Sequence, residues 1–397
     1  MKILFVPDSL WGDASGHRSS KYLIKAFATV NIDIAVYAPM LGYTEQQHDV
    51  IKKYNCKFYP RREYNYSQQI FRKKVDEEFE SIISDYSPDF VFYVGTIKNK
   101  TSIDFCIKNN IKYLYLALTT EYYCIKTFAG LETGPCYGCL QGSLTAPFSN
   151  NCLPSDYGIS TYIKEKAIEV ISRKRIINAY KVVGYSEDQL NILECFGVDR
   201  GKTLKLPIFF DPDSANGIDT SVGEQFLIFG QLLTAKGWHL IPEIIKRTQG
   251  VRYKAIVRKS VSDKFISDNK LEFYVESGVL EIVDFLETHD LLLNELAHSK
   301  GVLIPSYYPT TGEFTMIESL MLGKPVVVFD AGIHREIFTD KKNGMIAKVG
   351  DLKGYCEKIE ELNNDQELHG RVSAGGKELF AQITSLDRFR TEIRELQ

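Results

Sequence analysis

No stretch of these 397 residues approaches the ~20 consecutive apolar positions of a membrane-crossing helix, so helical spans are not expected. Charge of one sign is equally scarce. Lysine and arginine (48) nearly balance aspartate and glutamate (51), and the net charge of −3 supplies no global field for nucleic acid or anionic lipid. The basic run Arg72, Lys73 and Lys74 is followed at once by Asp76, Glu77 and Glu78 and reads as a solvated helix face. Internal repeats and low-complexity tracts are lacking, which excludes repeat arrays. The apolar start Met1–Val6, closed by Pro7 and Asp8, is too short and too lightly charged in front for a signal peptide. Eight cysteines without a secretory signal read as reduced thiols rather than a disulfide framework. The expected address is cytoplasmic, with peripheral membrane contact left open.

What is present is an ordinary globular composition, 44% hydrophobic and 25% charged, long enough for two domains with separate cores. Short apolar runs alternate with helical patterns, as in stacked βα units. The first half shows strands at 2–6, 32–38, 90–94, 111–118 and 181–185, with helices at about 19–28, 75–83 and 164–179. Pro207 and Pro212 break the pattern around 206–214 and mark a hinge. A second series follows, with strands at 225–229, 253–257, 301–305 and 325–329, helices at 238–247 and 314–322, and a helical tail over 352–396. The fold class is therefore α/β. Residues 1–210 form one doubly wound Rossmann-like domain and 211–375 a second, facing each other across a cleft. Residues 376–397 form a helix that packs back on the first. Ligands belong at the carboxyl ends of the strands.

The densest signal is Val302-Leu-Ile-Pro-Ser306, a loop through Thr310, Thr311 and Gly312, then Glu313-Phe-Thr-Met-Ile-Glu318-Ser-Leu-Met-Leu-Gly323-Lys-Pro325-Val-Val-Val. A buried strand runs into a loop and a helix beginning near Phe314 and Thr315. The free N–H groups and positive dipole end at that start suit a phosphate. Gly312 lets backbone approach a ligand without a Cβ in the way. Glu318, about one turn further in, is placed to accept hydrogen bonds from a ribose diol. A plain structural βαβ unit with a solvated Glu318 is the competing reading.

This segment resembles the signature of the large retaining glycosyltransferase family of the GT-B fold, glycosyl transferases group 1. There a Glu, a glycine-rich loop and a second Glu precede a turn ending in Gly-x-Pro-Val-Val. The second half matches from Glu318 to Val327. The family's first Glu falls eight residues earlier, at Thr310 here; Glu313, five residues ahead, either takes its role or the contact is absent. Phe226-Leu-Ile-Phe-Gly230-Gln231-Leu-Leu-Thr-Ala-Lys236-Gly237 is similar to the family's Gly-Arg-Leu…Lys-Gly segment, whose Arg and Lys neutralise the donor diphosphate. Lys236 aligns, whereas Gln231 replaces the Arg with a neutral amide, leaving Arg258 or Lys259 to compensate. Asp330-Ala-Gly-Ile-His-Arg and Asn343-Gly-Met-Ile-Ala also resemble the family's following stretch.

The resemblance implies further placements in the first half. Trp11-Gly-Asp-Ala-Ser-Gly16-His17-Arg18 corresponds to a glycine-bearing loop beside the reacting sugar and diphosphate, with Gly16 and Arg18 on the donor and His17 on the acceptor side. It is not a P-loop, because no Gly-Lys-Ser/Thr ends it. Where many members carry an acceptor-side His, this chain has Leu118-Thr-Thr-Glu121, leaving Glu121 as the polar substitute. Within a loop at 121–158, Cys124, Cys136, Cys139 and Cys152 are spaced so that they either hold a structural zinc or remain plain thiols.

Together these features imply transfer of a sugar from a nucleotide diphosphate donor to a glycan, lipid-linked or other hydroxyl acceptor, with retention and with no metal required for catalysis. Lys236, Glu313 and Arg258 are the catalytic candidates. Donor binding falls to Gly230, Gln231, Lys236, Thr311, Gly312, Glu313, Phe314, Thr315 and Glu318. No nucleic-acid partner is expected. Two rivals stay open: a sugar-nucleotide epimerase or hydrolase of the same fold, and a non-catalytic nucleotide- or glycan-binding relative.

Overall fold

The computed structural model describes residues 1–10, 15–39, 48–62, 73–153, 158–210, 212–286 and 288–396. The chain divides into two compact units, one of residues 1–128, 137–210 and 385–397, the other of 129–136 and 211–384. Among the described residues no helix is long and apolar enough to cross a membrane.

Strands are numbered in chain order. In the first unit, β1 (Lys2–Val6), β2 (Asp33–Pro39), β3 (Lys57–Arg61), β4 (Phe90–Val94) and β5 (Tyr113–Leu116) are followed by β8 (Lys181–Gly184) and β9 (Thr203–Lys205). The two short intervening strands, β6 (Gly130–Leu131) and β7 (Gly134–Pro135), form an antiparallel hairpin that belongs to the second unit. The first sheet is parallel with order β3-β2-β1-β4-β5-β8-β9. Its central strands bury both faces, which is why they read as continuous apolar runs. Phe5, Phe27 and Phe92 form one ring cluster, Phe27 meeting Phe92 at 5.4 Å. The closing helix Leu386–Arg394 sets Phe389 against Phe27 and Phe209 at 5.4 and 6.2 Å, adding a buried ring to that core.

The second unit holds β10 (Gln225–Ile228), β11 (Arg252–Ile256), β12 (Leu280–Val283), β13 (Gly301–Ile304), β14 (Val326–Phe329) and β15 (Met345–Ala347). They form a parallel sheet of order β12-β11-β10-β13-β14-β15. The order in which successive strands are added reverses between β10 and β13, so the loops leaving those two parallel strands diverge at the sheet's carboxyl edge. That is where a doubly wound sheet opens a ligand crevice.

Several elements departed from expectation for identifiable reasons. The edge strands β3, β9 and β12 were not anticipated, because their half-exposed residues break the apolar run that marks a buried strand. The tail from 352 is three helices, Leu352–Asn364, Gln366–Ile383 and Leu386–Arg394. Asp365 and Ser385 start the last two by accepting the backbone N–H of Leu368 and Arg388. Residues 376–384 therefore stay with the second unit and only 385–397 join the first. The loop 121–158 is likewise not confined to the first unit, since 129–136 leaves it.

One glycine ties the two diverging loops of the second unit together. Gly237 has φ +75°, and a Cβ there would lie 2.1 Å from the Pro305 carbonyl oxygen after β13. Backbone of the β10 loop thus rests directly on backbone of the β13 loop, which only glycine permits. Gly237→Ala is expected to cost about 2 kcal/mol or more in urea unfolding; an unchanged midpoint would show that this approach does not brace the site.

Candidate functional site

At the carboxyl edge of the second sheet, β10 runs into an exposed loop, Gly230–Thr234, and a short turn, Thr234–Lys236. β13 runs into the buried stretch Pro305–Thr311 and then the helix Phe314–Met321. These two connections bring Lys236 to Glu313. Their side chains form a close ion pair, and the Lys236 ammonium lies 3.1 Å from the Tyr308 hydroxyl. Ser306 Oγ donates to Glu313 Oε1 at 2.9 Å, and His334 Nε2 stands 3.4 Å from Glu313 Oε2. His334 arrives on the helix Ile333–Ile337 after β14, so three βα connections converge on one carboxylate.

Burial sets the electrostatics. The Glu313 side chain is 4% exposed and that of Lys236 is 21%. Burial alone would raise the Glu313 carboxyl, but Lys236 and His334 outweigh it and hold it at about 2. Burial alone would likewise lower the Lys236 ammonium, yet Glu313 and Tyr308 hold it above its ordinary value. Lys236 is therefore a fixed positive charge across the neutral range. About a fifth of the Lys236 side chain stays exposed while its ammonium keeps the carboxylate.

Glu313 is also the N-cap residue of the helix Phe314–Met321, with its carboxylate spent on the cluster instead of on the cap. Gly312 before it has φ +149°, a conformation glycine adopts readily. Thr311 is buried while Gly312 and Thr315 are half-buried, so the helix start is partly open. Glu318 follows one turn later with no exposed surface, and His289 Nε2 lies 2.7 Å from its Oε1. His289 opens the helix His289–Ala297, whose first turn is capped by the Thr288 side chain. Thr310 is fully buried, its N–H donating to the Tyr308 carbonyl and its own carbonyl accepting from Ile333. A Cβ on Gly332 would lie 2.3 Å from Thr310 N, so the loop after β14 packs against this residue.

The remaining candidates sit further out. Gly230 (φ +121°) and Gln231 are exposed at the end of β10. Arg258 lies at the carboxyl end of β11, exposed, with its guanidinium 5.0 Å above the Phe285 ring. The hairpin β6–β7 adds an unforeseen wall, because a Cβ on Gly130 would lie 3.0 Å from Ala235 Cβ and 3.1 Å from Tyr308 Cβ.

In the first unit the helix Ser15–Thr29 starts beyond β1 and carries Gly16, His17 and Arg18, all half-buried; residues 11–14 lie outside the described residues. Glu121 is nearly buried and accepts the Ile97 N–H at 2.7 Å, with its pKa raised by burial. Asp8 accepts the Thr96 N–H at 2.6 Å and pairs with the buried Lys100 at 2.7 Å, a contact not anticipated from sequence. Among the described residues no three His, Cys, Asp or Glu side chains are grouped to hold a metal, so zinc at Cys124, Cys136, Cys139 and Cys152 rests on spacing alone.

Tyr308, Ser306, His334 and His289 were not among the expected site residues. Ser306, Tyr308 and His334 stand within matched segments, but nothing local distinguishes them from packing residues. His289 lies outside every motif.

Comparison with known proteins agrees with this geometry. Residues 223–379 match the family model described as glycosyl transferases group 1. The chain is similar to the lipopolysaccharide core biosynthesis glycosyltransferase LpsE of Rhizobium meliloti, 26% identical over 149 residues, 38% of this chain and 42% of that protein. An uncharacterized glycosyltransferase of Methanocaldococcus jannaschii is 28% identical over 127 residues, 30% of this chain and 36% of its own. These alignments span less than half of either relative. Among solved structures, Anabaena HepE in complex with UDP-glucose aligns with a TM-score of 0.68 at 14% identity, covering 100% of this chain and 99% of that one. The lipopolysaccharide outer core galactosyltransferase WaaB aligns with a TM-score of 0.66 at 13% identity, covering 100% of both. The two Rossmann-like units thus have the GT-B fold of these glycosyltransferases.

The ion pair makes a pH prediction. Glu313 is held at about 2 against an ordinary value of 4.5, so its stabilisation is complete above 4.5 and lost as pH falls toward 2. Glu313→Gln is expected to cost about 3 kcal/mol near neutrality, by leaving Lys236 without its carboxylate, and to flatten this acid limb. Urea unfolding across that pH range checks both; an unchanged acid limb in the variant would remove the pair from the stability account.

Proposed function

We propose, from the premise that residues 223–379 are a group 1 glycosyltransferase domain, that the protein moves a sugar from a nucleotide diphosphate sugar to an acceptor hydroxyl, with retention at the anomeric carbon. The observation that carries this reading is the convergence of Lys236, Tyr308 and Glu313 at the reversal point of the second sheet, beside the start of the helix Phe314–Met321. A diphosphate leaving group gains negative charge as the glycosidic bond breaks. A pre-oriented ammonium and the positive end of a helix stabilise that charge without reorganising. Glu313 fixes Lys236 in place and keeps it protonated. Glu318, braced by His289, is the ribose anchor, and the exposed glycine at 230 leaves the phosphates room to approach. No metal enters this scheme.

HepE has been solved with UDP and with UDP-glucose, which makes uridine sugars the first donors to try. The acceptor is proposed to be a glycan or a lipid-linked hydroxyl compound, since LpsE and WaaB are named for lipopolysaccharide core glycosyltransfer. Gln231 supports the non-catalytic reading, because a neutral amide stands where the resemblance asks for an Arg.

Turnover decides between them. In a thermal-shift series UDP-glucose is expected to raise the melting temperature of the wild type, and Glu318→Ala to abolish that rise. Lys236→Met combined with Glu313→Gln removes both charges together, so no carboxylate is left orphaned. It is expected to lower sugar transfer, read by mass spectrometry of products, by about 10²–10³-fold. Donor binding without transfer to any acceptor would favour the non-catalytic reading, and acceptor-free hydrolysis or isomerisation the second enzyme reading. The zinc proposal stands separately: it requires stoichiometric zinc in protein purified without chelator, and metal analysis finding none would end it.

A further inference from the structure

The helix Phe314–Met321 of the second unit carries two buried acids, Glu313 as its N-cap and Glu318 one turn in. Each meets a base delivered by a different connection. Glu313, with 4% of its side chain exposed, pairs with Lys236 from the turn after β10, which is 21% exposed. Glu318 has no exposed side-chain surface, and its Oε1 lies 2.7 Å from Nε2 of His289, whose side chain is 19% exposed. In both pairs the acid is the deep partner and the base the shallow one.

The second base is held as firmly as the first. The Thr288 side chain accepts the Leu291 N–H at 3.4 Å, which makes His289 the first residue of the helix His289–Ala297. A carboxylate only accepts hydrogen bonds, so the His289 nitrogen that faces Glu318 carries the proton. That bond sets the tautomer and the plane of the ring, as a carboxylate does behind a metal-bound imidazole. Glu318 itself is out of reach, because a ligand hydroxyl could touch it only by displacing what covers it. Taking the imidazole away from a buried charge is strongly unfavourable. A hydroxyl that meets His289 requires no such displacement.

We infer that the ribose of the donor is met by the His289 imidazole, and that Glu318 acts behind it as a positioning residue. The pair repeats, for the nucleotide's sugar, the role proposed for Lys236 and Glu313 at its diphosphate. This rests on the proposed reading of Glu318 as the ribose end of the donor site, and changes which side chain touches the hydroxyls. The ligand class that fits is a ribonucleoside diphosphate, since a sugar without hydroxyls offers the ring nothing to bond.

The test is calorimetric titration of the full-length protein with UDP and GDP, each beside its 2′,3′-dideoxy analogue. Wild type is expected to prefer the ribose form of the base it binds by about ten-fold or more. His289→Ala should erase that preference by weakening the ribose form and leaving the dideoxy form unchanged. Glu318→Ala should reduce the preference as well, and adding it to His289→Ala should cost nothing further, because the carboxylate acts only through the ring. Should an alanine variant not fold, His289→Asn and Glu318→Gln replace the pair. A further loss on adding Glu318→Ala to His289→Ala would overturn the inference, by showing that the carboxylate touches the ribose itself. An equal loss for both sugar forms in His289→Ala would do the same, since that is what a merely structural residue gives. If Glu318→Ala alone removes the preference and His289→Ala keeps it, the inference falls while the ribose reading of Glu318 stands. If wild type binds neither nucleotide, or neither substitution moves the preference, both fall together.

Discussion

The second unit's carboxyl edge is organised around the ion pair between Lys236 and Glu313. Neither charge is tolerable alone at that depth, since an unpaired buried ion costs several kcal/mol of hydration. Each therefore dictates the position of the other, and with it the loops that carry them. Ser306 and Tyr308 from the connection after β13 add hydrogen bonds to the pair, and His334 from the connection after β14 stands 3.4 Å from the carboxylate. The loops after β10, β13 and β14 are thus held at one point, where the order of strand addition reverses.

That arrangement has a functional corollary. A lysine meant to meet a diphosphate must stay charged and must not collapse onto the first carboxylate it encounters. Here the carboxylate is built in, deep, while part of the lysine side chain stays exposed. Under the proposed function, Lys236 would be oriented before any donor arrives, leaving little reorganisation for the reaction. Tyr308 narrows its freedom further. The hairpin β6–β7 packs against Ala235 and Tyr308 from the far side, so a segment remote in sequence completes the support.

The two units differ in how they treat polar groups away from this edge. The first buries Arg175, Lys100 and Glu121 in specific pairings and bonds to loop backbone. The second buries Glu313, Glu318 and His334 at the site and, away from it, Lys324, whose ammonium donates to the Ser221 and Ser299 carbonyls at 2.6 and 3.0 Å, around a core that runs from Phe226 and Tyr253 to Tyr355 and Val372. Tyr355 fits the rule for buried hydroxyls, its OH donating to the Val327 carbonyl at 2.7 Å.

Sequence by itself determined the α/β class, the two successive βα series and the central strands. These depend on local patterns: continuous apolar runs for strands buried on both faces, and glycines where the backbone turns. The strand–loop–helix around Gly312 and Glu318 was legible for the same reason, as was Lys236 ahead of Gly237. The edge strands β3, β9 and β12 were not, because half-exposed residues carry no such run. Nor were the partners of the two glutamates. Glu313 differs from an ordinary helix-start acid only because Lys236 lies 77 residues away in sequence and His334 follows another strand. Glu318 acquired His289 from a segment without any motif. Pairing across βα connections is decided when the sheet brings its carboxyl ends together, and burial then turns ordinary side chains into a charged cluster. That step belongs to the tertiary structure.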